Sequence, residues 1–550
     1  MAALATLVHC ALVGAQMQRP LMYDDANFAL AARAVAETGL PFGNQGWMSE
    51  RGDFSQREQW ALWHPPLYVY LLGLFSTIGG WTAPILRLPG LLSGLATAAL
   101  TYLLGRDLTH GPSHVRGLAG GAAVALALLS PLTVQSALIL DIDYVLLLPL
   151  SLLFVWLYTR LEATRRRWLL LAPLFSLLLW AKMTNPLALL AVVGAWQALR
   201  GLPARAAAHV LVIVGGGALL FALTWVLIGR WLGFPLDMPF AVNALQWQDS
   251  AEVARRAYVS PGAFVEGLQP TTIWLGPGLV VLGLAGVGLR AARVAAWWRF
   301  RQADLLIGLV ILLVLSYVNK SAGWFPKYQV SLAPLLACLA GPIIAHTWCA
   351  RPRWAAATAA LALAVTAAVV FRLVRDDWAL GRTWAIELAP AQWLLAIVVM
   401  PGLVGLAWRA GSMPSMAALA GLSIGWNVAI GAHQLAAPYS TGYWYGTRST
   451  LEAAAWLDAH VQDGTYVAAK EVAIRARNQR YVDQDNLAYA LSHGRGFDGW
   501  WAGQSVRAVV AWQREPYVAE LFQRGLAAAN FHDTARFGDY VVYEPPSGLP

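Results

Sequence analysis

The chain has 550 residues, 58% of them apolar and 13% charged, about half the ~25% charged share of soluble domains. With a mean hydropathy of +0.52, it has too little charge to cover a soluble surface of this size; this excludes an ordinary soluble enzyme or a disordered chain and leaves an integral membrane protein. The net charge of +9 is no nucleic-acid footprint, because most of the arginine falls in short loops between apolar runs. Cys10, Cys338 and Cys349 lie in or beside apolar segments and form no CxxC pair, so neither a disulfide framework nor a thiolate metal site is implied.

A membrane span needs roughly 17–25 largely apolar residues. In chain order such windows fall at about 1–17, 84–105, 117–139, 144–160, 168–181, 186–199, 208–228, 271–290, 304–318, 328–348, 354–371, 390–408 and 414–434, thirteen in all. The first has no basic residue before it, which favours a span over a cleaved signal peptide. With the N-terminus inside, Arg106, Arg116, Arg160, the Arg165–Arg167 run, Arg200, Arg205, Arg290, Arg293, Arg299, Arg301, Arg351, Arg353 and Arg409 all fall in cytoplasmic loops. The loops 18–64 and 229–270 and the tail from about 439 then fall outside. Counting the short apolar stretch 65–79 as a crossing would put the arginines outside, so it is expected to lie along the membrane surface.

The outer side holds the residues with chemistry, since ionisable groups at the membrane edge are costly. Asp24-Asp25 follows the first span and opens an amphipathic stretch that ends at Gly39, with Pro41 beyond; capping that helix is the simplest role for Asp24. His64 heads Trp63-His-Pro-Pro-Leu-Tyr-Val-Tyr70, where the two prolines direct the chain into the surface helix. Asp141 and Asp143 sit between the third and fourth spans in an otherwise apolar run, which calls for a cation nearby or a polar turn. The chain has only four lysines, at 182, 320, 327 and 470. The first three fall at outer membrane edges beside aromatics, where an ammonium either holds a phosphate or merely snorkels to water.

Charge also marks a domain boundary: 21 of the last hundred residues are charged, against 48 of the first 450. Residues 1–438 read as a transmembrane domain and 439–550 as a small α/β domain outside the membrane. In the latter, Ser449-Thr-Leu-Glu452 is a capping box for a helix to His460. Strands are expected at Thr465–Ala469, near Tyr481 and at Asp539–Glu544, with a helix near Glu515–Arg524. Trp500, Trp501 and Trp512 suit either core packing or carbohydrate contact. No P-loop, GxSxG, HExxH or strand-linked GxGxxG is present.

Taken in order, these segments resemble the GT-C superfamily of membrane glycosyltransferases, in the branch of the protein O-mannosyltransferases and lipid A aminoarabinose transferases. The resemblance is carried by Tyr23–Gly39, His64-Pro-Pro-Leu-Tyr68, Arg87 at the second span, Asp141/Asp143, the Lys182 turn and Phe325–Pro334, and covers roughly residues 1–350. It implies a mainly helical, polytopic fold of about thirteen spans. It also implies a polyprenyl-phosphate sugar as donor, transferred with inversion to a glycan, lipid or protein at the outer face of the cytoplasmic membrane. The family's essential acid of the first outer loop falls on Asp24, with Asp25 beside it, as base or metal ligand; the acid after the third span falls on Asp141 or Asp143. Aminoarabinose transferases tend to have Lys where this chain has His64, and Arg-Tyr where it has Lys327-Tyr328. Substrate contacts are therefore expected from His64, Arg87, Lys182, Lys320, Lys327 and Tyr328. No cofactor is indicated beyond a divalent ion on Asp24 and Asp143, the alternative to a base there. A transporter of similar lipids should show paired pseudo-repeats and broken spans, and neither is seen in the sequence.

Overall fold

The computed structural model describes residues 1–43, 60–161, 167–240, 271–291, 302–317, 327–350, 448–484, 506–513 and 525–546, apart from residues 20, 22, 23, 184, 200–202, 273, 479 and 528. It is mainly helical with one small sheet, and it divides into two compact units. The first comprises Met1–Met17, Arg87–Trp225 and Gln246–Gly442; the second Gln18–Leu86, Val226–Leu245 and Tyr443–Pro550. Four of the described helical segments are long and apolar enough to cross a membrane: Ala83–Leu108, Asp143–Arg160, Leu211–Leu232 and Lys327–Cys349. Several other expected spans appear as apolar helices of 10–17 residues, and the windows 354–371, 390–408 and 414–434 lie outside the described residues.

The first unit is built from α1 (Ala2–Gly14), most of α4 (Ala83–Leu108), α5 (Ser113–Leu128), α6 (Pro131–Leu138), α7 (Leu148–Leu161), α8 (Leu171–Ala181), α9 (Asn185–Leu199), most of α10 (Pro203–Leu232), α11 (Pro277–Ala291), α12 (Gln302–Tyr317) and α13 (Leu332–Ala350); α2 (Asp24–Thr38) and α3 (Leu67–Gly79) belong to the other unit. Small residues let these helices approach closely, as packing in lipid requires. A Cβ on Gly120 would lie 2.7 Å from Tyr102 O, and one on Gly341 would lie 2.6 Å from Ala119 O. The expected span 117–139 is broken: α5 and α6 meet at 60°. Ser130-Pro131 makes the break, with Pro131 opening α6 and Ser130 Oγ donating to the carbonyls of Trp274 and Leu275 at 3.1 and 3.0 Å.

The free end of α6 is clamped by α4. Arg87, fully buried, donates from Nε to Leu138 O at 2.7 Å and from Nη1 to Met17 O at 2.8 Å. One turn on, Gly90 packs directly on the carbonyl of Ala137. Gly90→Ala has no flexible side chain to push aside. It should destabilise by about 3 kcal/mol, at the upper end of overpacking costs, read as a fall in the thermal midpoint in detergent.

In the second unit, α2 (Asp24–Thr38) packs on α3 (Leu67–Gly79). As the sequence indicates, α2 stops at Gly39, whose φ of 77° only glycine adopts without strain. The C-terminal residues carry α14 (Arg448–His460), α15 (Lys470–Ala473) and five strands: β1 (Thr465–Ala468), β2 (Tyr481–Asp483), β3 (Val506–Trp512), β4 (His532–Phe537) and β5 (Tyr540–Glu544). The order is β2-β1-β3-β5-β4, with β1 parallel to β2 and β3, and β5 antiparallel to β3 and β4. The helix expected from the capping box is present but begins at Arg448, so Ser449 lies inside its first turn. The expected helix near 515–524 lies outside the described residues.

Candidate active site

Asp141 and Asp143 follow α6 on a short connection, and both are buried. Asp143 opens a single π turn, Asp143–Leu147, in front of α7. The cause lies in the sequence. Pro149, five residues past Tyr144, has no N–H to give. Leu148 N–H reaches back to Asp143 O, and Ser93 Oγ supplies the bond to Tyr144 O at 2.8 Å. Such turns recur at functional sites because they re-aim a side chain without ending the helix. Asp141 fixes the same turn from the other side, its Oδ1 accepting the Asp143 N–H at 3.0 Å.

Two lysines come from distant segments to meet the two acids. Lys182 is the residue at which α8 ends; its N–H still bonds Leu178 O at 2.9 Å, but its backbone is extended, which takes the side chain out of the helical course. Its Nζ donates to both oxygens of Asp143, at 3.1 and 3.0 Å. Lys327 opens the 3-10 turn Lys327–Gln329 before α13, and its Nζ lies 2.5 Å from Asp141 Oδ2. The ring of Tyr328 joins the pairs, with Lys182 Nζ 4.7 Å and Lys327 Nζ 5.1 Å from its centre. Gln329, fully buried, anchors the turn by accepting a hydrogen bond from Thr271. The result is two carboxylates and two ammonium groups around one aromatic ring, largely out of water. Burial works to raise the Asp141 pKa, but Lys327 and then Lys182 outweigh it and hold the carboxyl below the usual carboxylate range. Its pairs therefore persist at neutral pH and are lost only as the pH falls through that lowered value.

Beside the acids an apolar cavity opens, lined by Leu147, Leu148 and Leu152 of the π turn and α7, Leu189 of α9, Leu309 and Leu313 of α12, and Leu335 of α13, with Asp143 and Tyr328 on its wall.

The other residues singled out in the sequence stand elsewhere. Arg87 spends Nε and Nη1 on backbone carbonyls, as described above. In the second unit, Asp24 is the first residue of α2 and Asp25 beside it is buried; the Asp24 side chain lies outside the described residues. His64 is half-buried next to Trp63, which packs with Tyr68 around Phe28. Lys320 also lies outside the described residues. Among the described residues no three His, Cys, Asp or Glu side chains gather as a metal site; a divalent ion on Asp143 would have to displace Lys182 from both oxygens. Sequence reading missed Pro149, Ser93, Thr271 and Gln329. Of these only Pro149 left a signal, a proline near the start of a predicted span.

Residues 63–228 match the family model of the dolichyl-phosphate-mannose-protein mannosyltransferases, a segment that contains His64, Arg87, both acids and Lys182. No curated protein sequence matches the chain significantly. Among solved structures, the chain is similar to ArnT from Cupriavidus metallidurans bound to undecaprenyl phosphate, with a TM-score of 0.63 and 17% identity over 99% of this chain and 98% of that one. The apo form of the same ArnT gives 0.60 and 16% identity over 98% and 97%. The chain is therefore similar in fold to ArnT and, over residues 63–228, matches the mannosyltransferase family model, which bears out its resemblance to the GT-C membrane glycosyltransferases.

Proposed function

We propose that the protein is an integral membrane glycosyltransferase that moves a sugar from a polyprenyl-phosphate donor to a glycan, lipid or protein acceptor, inverting the anomeric centre. The observation that carries this reading is the pair of lysines, Lys182 buried and Lys327 nearly so, each on its own aspartate and both against Tyr328, beside an apolar cavity. A lipid phosphate needs an apolar groove for its chain and cations for its head. As the bond from sugar to phosphate breaks, charge builds on the leaving phosphate, and ammonium groups already fixed nearby stabilise it without rearrangement. Donor phosphate would share Lys182 and Lys327 with Asp143 and Asp141. The acceptor hydroxyl then needs a base: by family resemblance this is Asp24, with Asp25, Asp141 and Asp143 as the other carboxylates for the role. His64, Arg87 and Lys320 are kept as substrate-side residues on the same resemblance.

On this reading the site lies at the outer face of the cytoplasmic membrane, with residues 439–550 as a domain on that side. The arginine loops give the orientation, and the length of the segment that opens at Asp143 is compatible with it. From Asp143 to Arg160 the chain runs about 25 Å at ~1.5 Å per residue, nearly the ~30 Å of a hydrocarbon core. The acids and the arginine loops therefore stand at opposite ends of one span. Reporter fusions after residues 112 and 165 should report the cytoplasm, and fusions after 250 and 445 the outer side. If 112 and 250 report the same side, the thirteen-span orientation is wrong.

The activity itself is tested by mass spectrometry of envelope glycans, lipids and glycoproteins from a strain lacking the gene. One sugar should be missing from one acceptor class, and wild-type protein should restore it. An unchanged profile, or a sugar-lipid that accumulates on the cytoplasmic side, would count against transfer and for transport.

A further inference from the structure

The end of the first unit opposite the lysines carries a second built cluster. Asp107, at the last turn of α4, is its centre. Arg106 donates from Nε to Asp107 Oδ1 at 3.1 Å, Arg160 from Nε and Nη2 to Oδ2 at 3.1 and 2.8 Å, and Trp156 from Nε1 to Oδ2 at 3.2 Å. Arg116 Nη2, from the first turn of α5, lies 3.6 Å from Oδ1. The Arg160 guanidinium also sits over the Trp156 ring, 5.2 Å from its centre. Among the described residues, three cations thus share one anion. Asp107 is only 16% exposed, whereas Arg106, Arg116 and Arg160 are 32, 42 and 47% exposed: the anion is covered and the cations are open.

A staple joining three helix ends needs fewer positive charges than this. Each added guanidinium repels the others, and most of their N–H donors are not used on Asp107. The surplus has a natural counterpart. The cluster lies where the apolar segments Ala83–Leu108 and Asp143–Arg160 end, which is the depth of phospholipid phosphates. Arginines between span ends bind such head groups, with apolar helix faces left for the acyl chains.

We propose that Arg106, Arg116 and Arg160 bind the phosphodiester head group of an anionic phospholipid in the leaflet at this end of the spans, with Asp107 holding the guanidiniums in place. The site is distinct from the lysine site at the other end of α7, and it does not depend on the transfer reaction.

The test is native mass spectrometry of delipidated protein titrated with phosphatidylglycerol, phosphatidylcholine or inorganic phosphate, with thermal melting to show that each variant is folded. Phosphatidylglycerol should bind more tightly than phosphatidylcholine. Arg116→Gln should weaken phosphatidylglycerol about fivefold, and Arg116→Gln/Arg160→Gln about 25-fold, with phosphatidylcholine unchanged. Arg116 makes only the long contact to Asp107, so its single variant keeps the test open if the double variant does not fold. Equal binding of the two lipids, unchanged phosphatidylglycerol affinity in Arg116→Gln, or equally good competition by inorganic phosphate would overturn the proposal.

Discussion

Lys182→Met should lose both stability and donor use, and Lys182→Met/Asp143→Asn should recover the first without the second. Lys182 Nζ bonds both oxygens of Asp143, and both residues are buried. Removing the ammonium alone leaves a carboxylate with its main charge partner gone, in a place that water barely reaches. Breaking a buried pair in this way costs about 3–5 kcal/mol, whereas replacing both partners by neutral groups of similar size is often close to neutral. The double variant should therefore melt near wild type. If Lys182 also holds the donor phosphate, the double variant still lacks that charge-assisted hydrogen bond, and donor affinity should fall about 10- to 100-fold. The measurement is a melting curve and a donor titration on the same three proteins. A folded double variant with wild-type donor affinity would make Lys182 a counter-ion of Asp143 and nothing more.

The residues of this cluster were legible because lysine is so rare in the chain: three of four lysines sit at predicted membrane edges, and two of them meet the one acidic pair buried between apolar runs. Which lysine pairs with which acid was not legible. That depends on where α8 ends and on a π turn caused by Pro149 and completed by Ser93, a partner 51 positions from Tyr144. Hydropathy found the apolar segments but not the 60° bend between α5 and α6, since both halves are apolar and a window average does not change across the break. In the C-terminal residues the first helix, the strands at Thr465–Ala469 and near Tyr481 and the β5 run were readable, though Ser449 lies inside the helix. Strand β3 was not: Val506–Trp512 is the central strand, buried at five of its seven residues, so it lacks the alternation that marks a half-exposed strand. Strand β4 was missed for the opposite reason. His532–Phe537 is a mostly exposed edge strand, and its polar sequence gives no hydrophobic signal.

Asp24→Asn should keep the fold and lower transfer by roughly 10²-fold or more, as loss of a general base commonly does. Asp24 opens α2, at the position that the family resemblance makes essential. A carboxylate there has two roles that a single substitution can separate. A helix-terminal carboxylate can serve a backbone donor, which Asn does about as well; losing its charge at the positive end of the helix dipole costs only about 0.3–1 kcal/mol. As a base or metal ligand it needs the charge, which Asn lacks. The neighbouring residue supplies the control. Asp25 is 1% exposed, so neutralising it should move the melting temperature, and a fall in its activity that tracks the melting shift is structural. The experiment is to purify both variants in detergent, compare their melting with wild type, and assay release of polyprenyl phosphate from the sugar donor. A cold Asp24→Asn enzyme that melts like wild type assigns the proton or metal to this carboxylate. A folded and active one would move the chemistry to Asp25 or to the Asp141/Asp143 pair, whose lysine partners would then have to release a carboxylate for the acceptor each time donor phosphate arrives.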